Sequence, residues 1–305
     1  MQGVLIASAL NYTGGKFKLL PQILPLFPKK IDTFVDLFCG GCNVGLNVKS
    51  NKIIYNDIND KVIKLCKFFK DTNSKNTVEK IYHTITKYEL SLVSKYGYEF
   101  YNCDSKKGLG KYNKSCFLKL RNDFNAMSCA ANDYYILFYV MIVYAFNNQI
   151  RFNSNGEFNL PVGKRDFNAK MEQKLINFIK RLHEQNSEFS SADFRNFNTQ
   201  GLNKNDFVYI DPPYLITCAT YNEKGGWLDK DELDLLEFLD VLHSKKIKFA
   251  LSNVLTSKGK TNEILKSWLE NRTYKTHHLN YKYSNSNYQT KDKSLSSDEV
   301  LITNY

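Results

Sequence analysis

Long apolar runs are missing from this chain. No stretch reaches the ~18 residues that would cross a bilayer. The opening residues, 1–15, have no basic n-region and only a short apolar stretch, so no signal peptide is expected. Neither a Lys-rich amphipathic helix nor a lipidation motif is present, which disfavours a membrane as partner. Internal repeats and long low-complexity tracts are also lacking. A second pair to complement Cys39 and Cys42 is missing nearby, so their C-x-x-C does not make a closed four-ligand zinc site, and no metal is expected. A redox role would want this motif opening a helix of a thioredoxin-like unit, whereas here it lies in a glycine turn. The seven cysteines are odd in number and irregular in spacing, which argues against a disulfide framework and for a reducing compartment, the cytoplasm.

What is there describes a globular protein. Hydrophobic residues make up 43% and aromatics 14% of 305 residues, which excludes disorder for most of the chain and allows one or two domains. Lys and Arg number 42 against 31 Asp and Glu, a formal +11. That surplus favours a polyanion as partner, most simply nucleic acid. An AT-rich genome would also raise Lys, Asn, Ile and Tyr, so charge alone decides little.

The apolar patterning predicts a split sheet. Strands are expected at 32–38 and 52–55, with helices at 43–48 and 61–70, the start of a doubly wound sheet. Helices without intervening strands follow at 75–94, 114–125 and 132–147, with a Gly/Asn/Lys-rich piece at 103–114. Residues 61–140 hold 14 Lys or Arg against 7 Asp or Glu, so +7 of the surplus sits there. Tyr82, Tyr88, Tyr96, Tyr98, Tyr101 and Tyr112 interleave with these bases, as nucleic-acid contact requires. Residues 149–160 read as a β-hairpin with Asn155-Gly156 as a type I′ turn. Helix 168–185 follows, then strand 207–210, helix 229–243, strand 248–252, helix 259–270, and strands 274–279 and 299–303; residues 284–297 read as an exposed loop. The domain boundaries expected are 1–60 with 165–305 for the sheet, and 61–164 for the insert.

Two motifs carry chemistry. In Phe34-Val-Asp-Leu-Phe-Cys-Gly-Gly41, glycines directly after a strand let backbone approach a ligand at the sheet's carboxyl edge. Asp57 closes the next strand, 21 residues after Asp36, where an acid holds ribose hydroxyls. A full G-x-G-x-x-G is absent, so a nucleoside without a pyrophosphate fits better. The second motif, Asp211-Pro-Pro-Tyr214, ends a strand with a stiff turn. It offers acceptors beside an aromatic face, suited to a planar group bearing an exocyclic NH₂.

Together these residues resemble the Dam family of DNA adenine methyltransferases, the amino-methylating group whose cofactor motif precedes the recognition domain (alpha motif order), and most closely its T-even phage members. The likeness runs nearly end to end: Tyr12-Thr-Gly-Gly-Lys16, the 34–41 loop, Asn56-Asp-Ile58, Asn148-Gln-Ile-Arg151, Gly156-Glu-Phe158, Pro161-Val-Gly-Lys-Arg165, Asp206 to Thr217, Ser252-Asn-Val-Leu255 and Asp298-Glu-Val300. It implies a Rossmann-like α/β fold with an inserted helical target-recognition domain, S-adenosylmethionine (AdoMet) as methyl donor, and duplex DNA as partner. It also implies base flipping, GATC as the site, a solitary, phage or restriction-linked role, and location in the bacterial cytoplasm or nucleoid, or in a phage-infected host cell. A cognate restriction endonuclease would be the partner in the restriction-linked case. Tyr12 and Lys16 would border AdoMet, Lys16 near its carboxylate. Asp36, Phe38 and Gly40 would form its loop, Asp57 would bind its ribose, and Asp193 and Phe194 its adenine. Asp211, Pro212 and Tyr214 would hold the flipped base. Arg151 would read a guanine, an Arg fork being the usual reader in the major groove. Asn11 stands where some bacterial members place a lysine, and Asn153, Asn155, Lys164 and Arg165 would grip the duplex. Cys42 departs from the family's last loop glycine. The insert at 71–113 is longer than in the compact phage members. Rival readings are amino-methylation of RNA, of protein glutamine or of cytosine, and a catalytically silent DNA-binding homologue.

Overall fold

The computed structural model describes residues 4–217, 226–280 and 297–305. Cys218 and most of the loop expected at 284–297 lie outside them. The chain forms two compact units, residues 16–63 with 186–305, and residues 1–15 with 64–185. The helical unit therefore takes in residues 1–15 and 165–185, which the sequence reading placed with the sheet.

The first unit is built on one sheet. Its strands are β1 (Thr33–Asp36), β2 (Lys52–Asn56), β3 (Ser187–Ser190), β4 (Phe207–Ile210), β5 (Lys248–Ser257), β6 (Lys260–Thr261), β7 (Lys275–Leu279) and β8 (Asp298–Thr303), in the order β3-β2-β1-β4-β5-β8-β7 with β6 beside β5. The pairs from β3 through β5 are parallel, and β8 runs antiparallel to both β5 and β7. Alternation sorts the side chains to two faces. Val35, Val208, Ile210, Phe249 and Leu251 pack with Leu235, Leu239 and Trp268 of the helices α8 (Asp229–Ser244) and α9 (Glu263–Glu270). Phe34, Phe207 and Tyr209 face the other way, onto Phe27, with the rings of Phe27 and Phe207 4.7 Å apart edge to face. Phe27 follows a short helix, α1 (Leu20–Ile23).

Several boundaries differ from the sequence reading, each for a local reason. The helix expected at 43–48 is a single 3₁₀ turn, Gly45–Asn47. β5 runs five residues beyond its expected end at 252, because Ser252 and Asn253 find tertiary partners, the Tyr209 hydroxyl on β4 at 2.7 Å and the Glu232 carboxylate on α8 at 3.1 Å. The helix expected from 259 starts at Glu263, capped by Asn262. Before it, Ser257 pairs with Lys260 across a two-residue loop, Lys258-Gly259, in which both residues have positive φ, 49° and 76°. That is the signature of a type I′ hairpin.

The second unit is helical, comprising α2 (Asp60–Asp71, entering from the first unit), α3 (Ser74–Lys87), α4 (Val93–Tyr96), α5 (Gly110–Ala126), α6 (Tyr134–Tyr144) and α7 (Ala169–Glu184). α6, Tyr-Tyr-Ile-Leu-Phe-Tyr-Val-Met-Ile-Val-Tyr, is buried on all sides except at Tyr135. A helix apolar all round belongs in a core, and Phe69, Phe124, Phe152 and Phe167 pack their rings on Phe138 or Tyr139. Three of the tyrosines expected at a nucleic-acid surface are structural instead. Tyr88 donates to Asp123, Tyr82 donates to Glu172, and Tyr101 accepts from the Leu92 amide. Tyr96, Tyr98 and Tyr112 are exposed.

Residues 151–159 double back through the bridge Phe152–Phe158 rather than as two strands. Asn155 is not among the positive-φ residues, while Gly156 has φ 77° and donates to the Asn153 carbonyl at 2.9 Å. The turn is a three-residue loop closing on a left-handed glycine rather than type I′. The Asn153 side chain organises it, accepting from the amides of Asn155 and Glu157. Among the described residues no helix is long and apolar enough to cross a membrane.

Candidate active site

The sheet extends from β1 through β2 and β3 to one side, and from β4 through β5 to the other. A doubly wound sheet binds ligands in the crevice at such a reversal, beyond the strands' carboxyl ends. Asp36 ends β1, and Asp211 directly follows β4.

Two buried carboxylates hold the glycine loop between them. Asp36 accepts from the Gly45 amide at 3.0 Å, and Asp57 accepts from the amides of Gly40 and Asn59 at 2.8 and 2.9 Å. Burial raises both carboxyls. Asp36 reaches about 7, with the Gly45 amide opposing the rise and the neighbouring Asp211 and Asp57 adding to it. Each Asp57 oxygen has accepted one bond and retains a lone pair for a hydroxyl donor, so these acceptors fit the hydroxyls of a ribose. Gly45 backs onto the Tyr55 ring, where a Cβ would fall 3.1 Å from the hydroxyl and closer still to ring carbons. The departure at Cys42 has a conformational reading. Its φ is 65°, in the left-handed region that glycine adopts freely. Its sulfur lies 3.9 Å from that of Cys39, both residues being buried. Asn56, quoted in a motif but given no role, ties the strand ends together. Its amide donates to the carbonyls of Leu37 and Ala192 and accepts from the Ala192 amide.

At Asp211 a second cluster forms. The Lys16 ammonium lies 2.9 Å from Asp211 Oδ1 and 3.5 Å from Glu299 Oε1. It also stands 4.9 Å from the centre of the Tyr214 ring. The Tyr214 hydroxyl donates to Asp211 Oδ1 at 3.0 Å and reaches Glu299 at 3.3 Å. Both contacts to Asp211 fall on Oδ1; Oδ2 accepts from no group among the described residues. Burial raises the Asp211 carboxyl, Lys16 opposes that, and Glu299 adds to it. Pro212 is buried beside it.

Aromatic rings line the loop's other flank. Phe38 lies 5.6 Å from Phe194 and 6.0 Å from Trp227, ring centre to ring centre. The Trp227 indole donates to Glu232 at 2.7 Å, and the same carboxylate accepts from Asn253 and Asn262. Arg195 lies over Phe194 and pairs with Asp193, Asp231 and Asp234. Asp193 is thus engaged by an arginine, and Phe194 is 4% exposed.

The sequence reading missed Glu299, Trp227 and Glu232. Only Glu299 carried a signal, an acid directly before the apolar run Val300–Ile302 in the quoted stretch Asp298-Glu-Val300. The structure brings Lys16, Asp36, Phe38, Gly40, Asp57, Asp193, Phe194, Asp211, Pro212 and Tyr214 onto one unit. Tyr12 and the residues expected at DNA lie on the other. There, Asn11 contacts Asn148 and Lys174 at 3.4 and 3.3 Å. Arg151 is exposed, and its guanidinium crosses the turn to Asn159, 2.7 Å from the side chain and 3.3 Å from the carbonyl. Asn155, Lys164 and Arg165 are exposed.

The profile of the D12 class N6 adenine-specific DNA methyltransferases matches residues 12–285. The chain is 44% identical to the type II methyltransferase M.FokI of Planomicrobium okeanokoites, across 98% of this chain and 43% of that protein. It is 41% identical to the modification methylase StsI of Streptococcus sanguinis over the same shares. Identity to the DNA adenine methylase of Salmonella typhi is 26%, across 80% of this chain and 79% of that protein. The chain spans less than half the length of the first two relatives. With the profile covering nearly all of it, the chain belongs to the D12 class N6 adenine-specific DNA methyltransferase family.

Proposed function

We propose that the chain transfers a methyl group from AdoMet to the exocyclic amino nitrogen of adenine in duplex DNA. The observation that carries this reading is Asp211, at the end of β4, held through Oδ1 by Lys16 and Tyr214 with Oδ2 left over. AdoMet, when bound, supplies a methyl group on a sulfonium. Gly40, Asp36 and Phe38 form the loop that would receive it, Asp57 would accept from its ribose, and Phe194, Asp193 and Trp227 would flank its base.

The adenine must leave the stack to be reached. Asp211 Oδ2 then accepts one amino N–H, and the Pro212 carbonyl accepts the other. Tyr214, one side of which carries Lys16, stacks its ring on the base. These two bonds draw the nitrogen lone pair out of conjugation and aim it at the methyl carbon. One N–C bond forms, one S–C bond breaks, and the displaced amino proton has Asp211 as its nearest base. Orientation and fixed charge provide most of the acceleration, and no cysteine nucleophile is required.

The helical unit serves as the target-recognition domain, with the 151–159 turn at the duplex. Arg151 reads a base, while Asn11, Asn153, Asn155, Lys164 and Arg165 secure the backbone. GATC enters as the site that the likeness to Dam methylases carries. The names of the two relatives with the highest identities given above, a type II methyltransferase and a modification methylase, support a place beside a cognate restriction endonuclease.

The test is labelled AdoMet with two duplexes, one containing GATC and one scrambled, each product digested to nucleosides. Methyladenine in the GATC duplex alone is the expected result. Label in both duplexes would keep the chemistry and redirect the site. No label in either, with AdoMet bound, would move the substrate to RNA or protein. Asp211→Ala should abolish turnover and leave AdoMet binding within a few-fold; near-normal turnover would sink the assignment.

A further inference from the structure

Glu299 enters no part of the reaction just described, yet it lies at its centre. It is 1% exposed at the start of an otherwise apolar stretch of β8. A carboxylate is buried at such a place only with partners. Its partners include the Lys16 ammonium, which it shares with Asp211, and the Tyr214 hydroxyl, which bridges the same two carboxylates. One cation thus serves two anions. Paired with Asp211 alone, Lys16 would cancel the charge that makes a carboxylate a strong acceptor. Drawn also towards Glu299, it neutralises Asp211 less completely.

We propose that Glu299 is a positioning residue for methyl transfer: by sharing Lys16 and the Tyr214 hydroxyl with Asp211, it fixes Asp211 through Oδ1 and leaves Oδ2 a stronger acceptor, turned to the incoming amine. The inference rests on the reading of Asp211 as acceptor for the adenine amino group. Charged and titratable groups facing Asp211 are Lys16, Glu299, Tyr214, Tyr209 and Asp36. Asp211 must be ionised to accept, so turnover is lost as pH falls through its pKa. Glu299 pushes that pKa up, and removing its charge lets it fall.

Glu299→Gln tests this, since the amide keeps the shape and can still accept from Tyr214. Three results are expected. First, kcat drops about tenfold or more, while KM for DNA stays within about twofold. Second, the acid limb of the kcat profile moves to lower pH. Third, AdoMet binding without DNA weakens relative to S-adenosylhomocysteine, whose sulfur carries no charge. Glu299→Asp, which keeps the charge but draws it back by one methylene, should fall between wild type and Glu299→Gln. Thermal melting establishes that each variant is folded. A folded Glu299→Gln with wild-type turnover overturns the proposal. So does a loss of turnover with an unmoved acid limb and an unchanged AdoMet-to-homocysteine ratio, which would mark Glu299 as merely structural. Should Glu299→Gln not fold, Glu299→Asp is the variant read, and wild-type values for it overturn the proposal. A wild-type chain that methylates no adenine would sink the underlying reading instead, before any variant is compared.

Discussion

Asp36 is a buried acid whose cost to the fold can be measured. Burial pushes its carboxyl to about 7, against 3.8 when free. Below about pH 4 it is protonated in folded and unfolded chains alike. As pH rises from there to about 7, the unfolded chain releases the proton and the folded one does not, so stability falls across that window. The cost is at most about 4 kcal/mol, from roughly three pKa units. Asp36→Asn keeps an acceptor for the Gly45 amide and removes the charge. Its melting temperature should exceed wild type by roughly 4–8 °C at pH 8, with the gap closing towards pH 4, while AdoMet binding weakens. A variant that melts lower than wild type at pH 8 would show that the carboxylate is paid for by contacts other than those seen. Asp36 and Asp57 were legible in the sequence because their spacing after two strands has a reason. Glu232 was not. It sits in a helix opened by Asp229 and Asp231, where an acid ordinarily faces water, and only the fold aims it at Trp227, Asn253 and Asn262.

Elements were legible where one face or the whole segment is apolar. β1, β4 and α6 declare themselves, whereas β5 continues through Ser252-Asn253 because tertiary partners satisfy groups that read locally as a strand end. The two hairpin turns exchange their expected chemistry for a similar reason. Asn155-Gly156 carries the type I′ signal, but the Asn153 side chain claims the amides of Asn155 and Glu157 and draws the chain into a longer loop. Lys258-Gly259, with a weaker signal, takes both left-handed positions. Within α6 one residue breaks the rule that buried polar atoms find partners. The Tyr139 hydroxyl is the one buried side-chain polar atom among the described residues without a hydrogen bond. It lies among Phe69 and Phe167, in a ring arrangement that a phenyl group would keep. Tyr139→Phe should therefore stabilise the chain by about 1 kcal/mol, read by denaturant midpoint at constant slope. A destabilised variant would mean that the hydroxyl has a partner in solution, such as a buried water.

For the whole molecule, net charge is the property with the longest reach. The surplus of +11 is concentrated in the helical insert, and there it divides into exposed bases and structural ones. Lys70, for instance, donates to the carbonyls of Leu182 and Gln185, so it is engaged within the fold. Lys164 and Arg165 stand in solvent, and Arg151 is exposed at the base of the 151–159 turn. Phosphate contacts release counterions, so affinity should fall steeply with salt, by about 10³-fold or more between 50 and 200 mM if six or more phosphates are touched. AdoMet binding without DNA should barely change over the same range. The two kinds of cation should then separate. Lys164→Ala is expected to weaken all duplexes alike and to lower the slope of log affinity against log salt by about 1. Arg151→Ala is expected to cost about 1–3 kcal/mol on the cognate duplex and little on a scrambled one, since a base-reading fork is lost. Titrations of both variants on both duplexes, at two or more salt concentrations, decide the matter. If Arg151→Ala instead weakens both duplexes equally and flattens the salt slope, Arg151 is a phosphate contact, and the base-reading side chain must be sought elsewhere in the helical unit.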